Sequence, residues 1–164
     1  MKLESLRSLL LEQLQDLYSA EEQITKALPK MIEHTSDAGL KSALSEHLDV
    51  TREQLRRLDR IFDEVRDADR NGIKCKGMEG LIKEGDEIVK AKGDPETRDA
   101  GIIAAAQRVE HYEIAGYGCA RTYATLLGRR DWAQQLQQTL DEEKQADQKL
   151  NQLAERINVE AKAA

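Results

Sequence analysis

Hydrophobic residues recur along this chain at alternating intervals of three and four, the period of a helix with one buried face. Leu10, Leu14, Leu17, Glu21, Ile24, Leu28 and Met31 share such a face and predict a first helix over about 3–34. Pro29 falls inside the pattern and lacks a backbone N–H, which predicts a kink or change of axis there. Thr35, Ser36, Asp37 and Gly39 mark a turn, with Ser36 or Asp37 as the N-cap of the next helix. That helix, about 38–66, has Leu40, Leu44, His47, Thr51, Gln54, Leu58, Ile61 and Val65 on its face. Asp94-Pro95 opens a third long helix over about 95–127, Asp as cap and Pro at the first helical position. Its face reads Ile103, Ala106, Glu110, Glu113, Tyr117, Ala120, Ala124 and Leu127, and Gly128 is a natural stop. Asp131 can cap a fourth helix over about 132–158, faced by Leu136, Leu140, Glu143, Ala146 with Asp147, Leu150, Leu153 and Ile157. Fraying is expected after Val159.

The connection from Asp67 to Asp94 contains Asn71-Gly72, a turn signal, and an amphipathic segment over about 77–92 with Met78, Leu81, Ile82, Ile88 and Val89. Short loops make the first two and the last two long helices antiparallel pairs. Two helical hairpins joined by a crossover of about thirty residues are the ferritin-like variant of the four-helix bundle. The expected fold is therefore all-α: one domain over 1–164, a ferritin-like four-helix bundle with one short helix in the crossover.

Composition agrees with long helices solvated on their outer faces: 34 % charged, 40 % hydrophobic, 4 % aromatic and only two prolines. A net charge of −6 argues against nucleic-acid binding, which needs a basic face. The one basic run, Arg52, Arg56, Arg57 and Arg60, is interleaved with acids and reads as a solvated helix face. No apolar stretch is long enough for a membrane span, and no signal peptide is apparent. Cys75 and Cys119 form neither a Cys-x-x-Cys pair nor a disulfide framework, so a reduced, cytoplasmic protein is expected. Cys75 reads as an exposed loop residue and Cys119 as a small buried one.

Polar residues interrupt every apolar stripe. The long helices contribute, in order, Glu21, His47, Glu110 with Glu113, and Glu143 with Asp147, several of them near mid-helix. An ionised carboxylate on a core face is costly unless it is paired or binds a metal. Like charges three apart on one helix are also unfavourable without a cation. Taken singly, Glu21 could be an ion-pair partner and His47 a hydrogen-bonded core histidine. Taken together, the acids and the imidazole suit iron or manganese, and zinc less well, with at most two ions per chain. Tyr18, one turn before Glu21, Tyr117, one turn after Glu113, and Tyr112 flank these acids; a hydroxyl there could orient a ligating carboxylate, but each reads first as a core aromatic with the hydroxyl at an edge. Asp16 and Glu22 read as solvent or interface groups, and His111 lies off the stripe.

The pattern resembles the bacterial YciE/YciF-type ferritin-like proteins associated with stress responses. The matching stretches run from Gln15 to Glu21, from Ala27 to Met31, and over Glu46-His47-Leu48 with Thr51 and Gln54. Others run from Cys75 to Met78, Gly80 to Gly85, Gln107 to Glu113, Tyr117-Gly118, Thr139 to Glu143 and Ala146-Asp147. The resemblance implies a ferritin-like bundle with an added short helix, a homodimer, and a dinuclear site held by Glu21, His47, Glu110, Glu113, Glu143 and Asp147. Oxygen, peroxide or ferrous iron are then the candidate substrates. One departure stands out: Val50 occupies the position three after His47 where family members often have glutamate. That departure keeps open a non-enzymatic dimeric stress or assembly protein with a degenerate or empty site, its acids paired with Arg108, Arg121 or Lys144.

Overall fold

The computed structural model describes residues 4–65 and 68–163. Five helices account for nearly all of them: α1 (Leu6–His34), α2 (Ala38–Asp63), α3 (Lys76–Lys90), α4 (Pro95–Leu126) and α5 (Arg130–Ala163). No strand occurs among the described residues. The expectations that fell on Leu3, Arg66 and Asp67 lie outside them.

The capping chemistry accounts for most helix ends. Ser5 and Ser8 form a reciprocal capping box at α1, and the Asp37 carboxylate accepts from the Leu40 N–H at the start of α2. Asp94 accepts from the Thr97 N–H with Pro95 in the first turn of α4. Gly128, at φ +74°, allows the left-handed turn that ends α4. α1 runs to His34 with Pro29 inside it. Two expectations shift. α5 begins at Arg130, so Asp131 sits in its first turn rather than capping it, and its carboxylate accepts from Arg129. α5 also stays helical to Ala163, past the expected fraying point.

Two apolar clusters fix the helix directions. The first joins Leu10 to Tyr18 of α1 with Leu58 to Phe62 of α2, Tyr117 to Ala124 of α4 and Trp132 to Leu140 of α5. The second joins Ile24 and Leu28 with Leu40 and Leu44, Ile102 to Ala106, and Leu150 with Ile157. Hence α1 and α5 point one way and α2 and α4 the other. The crossover leaves one end of the molecule and returns at the opposite end, with α3 packed on α1 and α4 along the way. The turn Asp69–Gly72 is closed by the Gly72 N–H on the Asp69 carbonyl. Full burial of side chains such as Leu14, Leu58 and Leu136 stabilises the fold by about 1.5–3 kcal/mol each. Leu127 departs from the expected stripe: it is the C-cap of α4 and partly exposed.

Arg57 does not belong to a solvated basic face. It is buried, and its guanidinium reaches Glu142 through both terminal nitrogens and the Thr139 hydroxyl at 2.6 Å. The two cysteines exchange their expected places. Cys119 is exposed, whereas Cys75 is wholly buried as the N-cap of α3. Cys119 sits one residue before Ala120, on the outer side of a helix whose inner face runs through Glu113, Tyr117 and Ala120. Asp16 is not a solvent group either: the Tyr112 hydroxyl donates to it at 2.6 Å and the Cys75 thiol at 3.2 Å.

Candidate metal centre

Between the two apolar clusters lies a polar layer to which α1, α2, α4 and α5 all contribute. Glu21, Glu113 and Glu143 have no exposed surface, Glu110 has 2 % and His47 8 %. One ligand-type atom from each of His47, Glu110, Glu113 and Glu143 lies within 4.8 Å of all the others. His47 Nε2 is 3.3 Å from Glu110 Oε1. Glu21 joins the layer from α1 and accepts from the Tyr117 hydroxyl of α4.

The helical repeat explains the convergence. Glu110 and Glu113 are three residues apart, so both face inward from adjacent turns of α4. His47 and Gln54 are seven apart, two turns, which keeps Gln54 on the same inner face of α2. The Gln54 amide donates to Glu143 and, at 3.2 Å, to Glu142. The Thr51 hydroxyl is absorbed by the His47 carbonyl at 2.9 Å and leaves the imidazole free of it.

Asp147 is not among the converging groups. Four residues advance a helix by about 40° beyond one turn, enough to turn Asp147 from the inner face toward α4. There it is 3.4 Å from His111 Nε2 and accepts from Gln107 and Asn151. His111 itself is exposed. Glu46, Asp49 and Glu53 are likewise exposed, so none of them replaces the acid absent at Val50.

The electrostatics of the layer are unusual. Burial, reinforced by the neighbouring Glu143 charge, pushes the Glu21 and Glu110 carboxyls well above the usual carboxylate range. Burial and then Glu21 do the same to Glu113. Burial, with Glu21 and Glu113 beside it, raises the Tyr117 hydroxyl, which therefore stays a proton donor. Among the described residues no Lys or Arg forms an ion pair with Glu21, Glu110, Glu113 or Glu143. Several buried atoms have no hydrogen-bond partner: Glu21 Oε2, His47 Nε2, Glu110 Oε2, both oxygens of Glu113 and Glu143 Oε2. Unpaired buried acceptors at this density are rare in folded proteins. A buried His/Glu cluster with free lone pairs of this kind could hold a metal ion.

Two members of the layer were harder to see from sequence. Gln54 was visible only as an uncharged stripe residue two turns from His47. Tyr117 resembled an ordinary core aromatic, although its spacing of one turn from Glu113 is a usable signal.

Comparison with known proteins agrees over nearly the full length. Residues 5–163 match the family model described as DUF892, a domain of unknown function. Protein YciF of Escherichia coli is 43 % identical over 154 residues, covering 94 % of this chain and 93 % of the relative. The crystal structure of the Escherichia coli stress protein YciF superposes with a TM-score of 0.90 at 42 % identity, covering 94 % of this chain and 97 % of the other. YcfI of Rhodopseudomonas palustris superposes at 0.87 and 45 % identity, covering 92 % and 95 %. A Xanthomonas campestris protein shares the fold at 22 % identity, TM-score 0.73, over 95 % and 94 %.

Proposed function

The chain belongs to the DUF892 family, and from that premise we propose that it is a ferritin-like four-helix-bundle stress protein whose polar layer would hold a di-iron or di-manganese site on its carboxylates. One observation supports this above the rest: Glu113 is wholly buried, no N–H or hydroxyl donates to either of its carboxylate oxygens, and the groups facing it are other acids. The buried Arg57 guanidinium, whose charge reaches Glu21, is paired with Glu142 instead, and Glu21, Glu110 and Glu143 surround Glu113. Such a group must be either protonated or matched by metal charge. Two divalent ions would balance the four carboxylates. Oxygen donors with a single imidazole favour iron or manganese over zinc.

In this reading Glu21, His47, Glu110, Glu113 and Glu143 are the protein ligands, and Asp147 orients His111 at the rim. Bound redox metal would supply open positions for oxygen, peroxide or ferrous iron as substrate. The chain's own residues supply the rest. Tyr117 fixes one oxygen of Glu21 by donating its proton. Gln54 fixes Glu143 in the same way. Arg57 holds Glu142 aside, so that this acid does not fold into the layer. The apolar clusters above and below keep the layer dry. A homodimer is part of the same proposal, and sedimentation of the full chain tests it.

A second reading, a non-enzymatic assembly protein with an empty site, is favoured by Val50 and by the Gln54 amide on Glu143. With three carboxyls shifted upward, the layer can also stand protonated without metal. Metal analysis of the full chain, stripped and then titrated with iron(II) or manganese(II) without oxygen, separates the two. About two ions per chain are expected; a chain that takes up neither metal overturns the first reading.

A further inference from the structure

The polar layer is closed above and below by apolar clusters, and three of its four acids have no exposed surface. An ion that resides there needs a way in. Between α2 and α5 the surface opens into a cleft of about 160 Å³, and His47 forms part of its wall. His47 is more than nine-tenths buried, and its Nε2 faces Glu110 Oε1 at 3.3 Å without a formed hydrogen bond, so the imidazole stands between the cleft and the acids. Val50 and Ala146 line the same cleft and are partly exposed. Both are short side chains placed one turn from an inner residue, Val50 from His47 and Ala146 from Glu143. A longer side chain at either position would narrow the cleft whose wall includes the imidazole.

At the mouth, Lys149 of α5 pairs with Glu46 of α2. Both are substantially exposed, 47 % and 65 %, so the pair is weakly held and readily exchanged. Glu142, also on the wall, is pinned by Arg57. That leaves Glu46 as the acid able to swing. On the opposite side, beneath α3, a second cavity also touches His47 and Glu110, but it holds only about 20 Å³ and is lined by Ile24, Ala27 and Met31. Apart from His47 and Glu110 that lining is apolar, and it leaves no room for a cation that keeps its water shell.

We propose that the α2–α5 cleft is the entry port through which hydrated divalent cations reach the layer, with the Glu46–Lys149 pair as an exchangeable latch over His47. The port rests on the metal reading above, and it makes Val50 an opening as well as a departure from the family pattern.

The test is stopped-flow uptake of cobalt(II) by the stripped full chain, followed by its visible absorption, with the final stoichiometry measured separately. Ala146→Phe should slow loading about ten-fold or more at unchanged stoichiometry, because the port is narrowed and no ligand is touched. Val50→Phe, whose helix content is checked by circular dichroism, should do the same. Lys149→Ala should speed loading. Ala27→Phe, on the apolar side, should leave the rate alone. Wild-type rates in both Phe variants of the cleft would overturn the port while leaving the metal site standing. So would slowing by Ala27→Phe instead. A wild-type chain that binds no cobalt would overturn the metal reading and the port together.

Discussion

Asp16 and Glu21 stand five residues apart on α1, and each accepts a hydrogen bond from a tyrosine of α4, Tyr112 in one case and Tyr117 in the other. Their surroundings differ sharply. Asp16 is half-buried at the crossover, where the Cys75 thiol also donates to it and the Cys75 N–H is satisfied by Ser19. Gly77 lies so near Tyr112 that a Cβ there would sit 2.7 Å from the ring, which locks α3 against the pair. Burial and the Asp16 contact raise the Tyr112 hydroxyl, and burial raises the Cys75 thiol, so both remain donors. Glu21 has one tyrosine, no exposure, a second oxygen with no partner, and other carboxylates beside it. The first cluster is complete within the chain. The second is complete only with a proton or a cation. An acid satisfied by the chain and an acid left with a bare oxygen among other acids are therefore told apart by what remains unsatisfied around them.

The largest expected effect comes from removing the charge at the centre of the second cluster. Glu113→Gln should weaken iron(II) or manganese(II) binding by more than about 100-fold, since even partners of ligands are worth 10–100-fold. The same substitution should stabilise the metal-free protein by about 1–4 kcal/mol, because a buried uncompensated acid is relieved. Calorimetric titration and metal-free thermal melts measure the two halves. Opposite signs are the signature; a metal-free protein destabilised by Glu113→Gln would show that Glu113 is a structural partner like Asp16.

The pH dependence should also split along this line. Glu21, Glu110 and Glu113 have folded-state values raised above their unfolded ones, so folding favours their neutral forms. Their contribution is favourable below the unfolded value and is lost as pH rises toward the folded one. Metal-free protein should therefore melt higher near about pH 5 than near about pH 8. Groups such as Asp86, held low by Lys30, and Asp131, held low by Arg129, act in the opposite sense and only in stronger acid. Saturating metal should invert the trend in the layer, since metal must displace those protons. Melting curves with chelator and with metal across this range provide the check; identical slopes would sink the idea.

At the crossover, Asp16→Ala leaves the Tyr112 hydroxyl and the Cys75 thiol only each other, at 3.0 Å, so one donor loses its acceptor, and should cost about 1–3 kcal/mol. Metal affinity should not change. Denaturant unfolding with a parallel metal titration tests this, and a coupled loss of metal would merge the two clusters.

The sequence made the second cluster easier to read than the first. Glu21, Glu110, Glu113 and Glu143 each break a run of apolar residues at helical spacing, and charge on a core face is a loud signal. Asp16 and Cys75 gave none, because their meeting depends on how the crossover lies over α1, which no local period encodes. Arg57 misled for a related reason. Its neighbours Arg56 and Arg60 do face outward, and only the Glu142–Thr139 edge of α5 makes an inward guanidinium tolerable. Asp147 shows the limit of angular resolution: the step that separates it from Glu143 moves it from the layer to the rim.

The finest comparison sets the two tyrosines against each other. Tyr117→Phe removes the proton donor on Glu21 but leaves the ring in its apolar surroundings beside Leu14 and Ala120. With metal bound, the cost is a less firmly oriented carboxylate, about 10-fold in affinity, the low end for a ligand's partner. Without metal, the lost hydrogen bond leaves Glu21 Oε1 as bare as Oε2, and the carboxyl should become harder still to ionise. Tyr112→Phe removes a donor from Asp16, which keeps the Cys75 thiol and some contact with water, so metal affinity should hold at the wild-type value. Parallel titrations of the two variants ask one question of two similar hydroxyls. An affinity loss confined to Tyr117→Phe would tie the difference to the carboxylate each hydroxyl serves, and equal losses would show that the clusters share one energetic unit across α1 and α4.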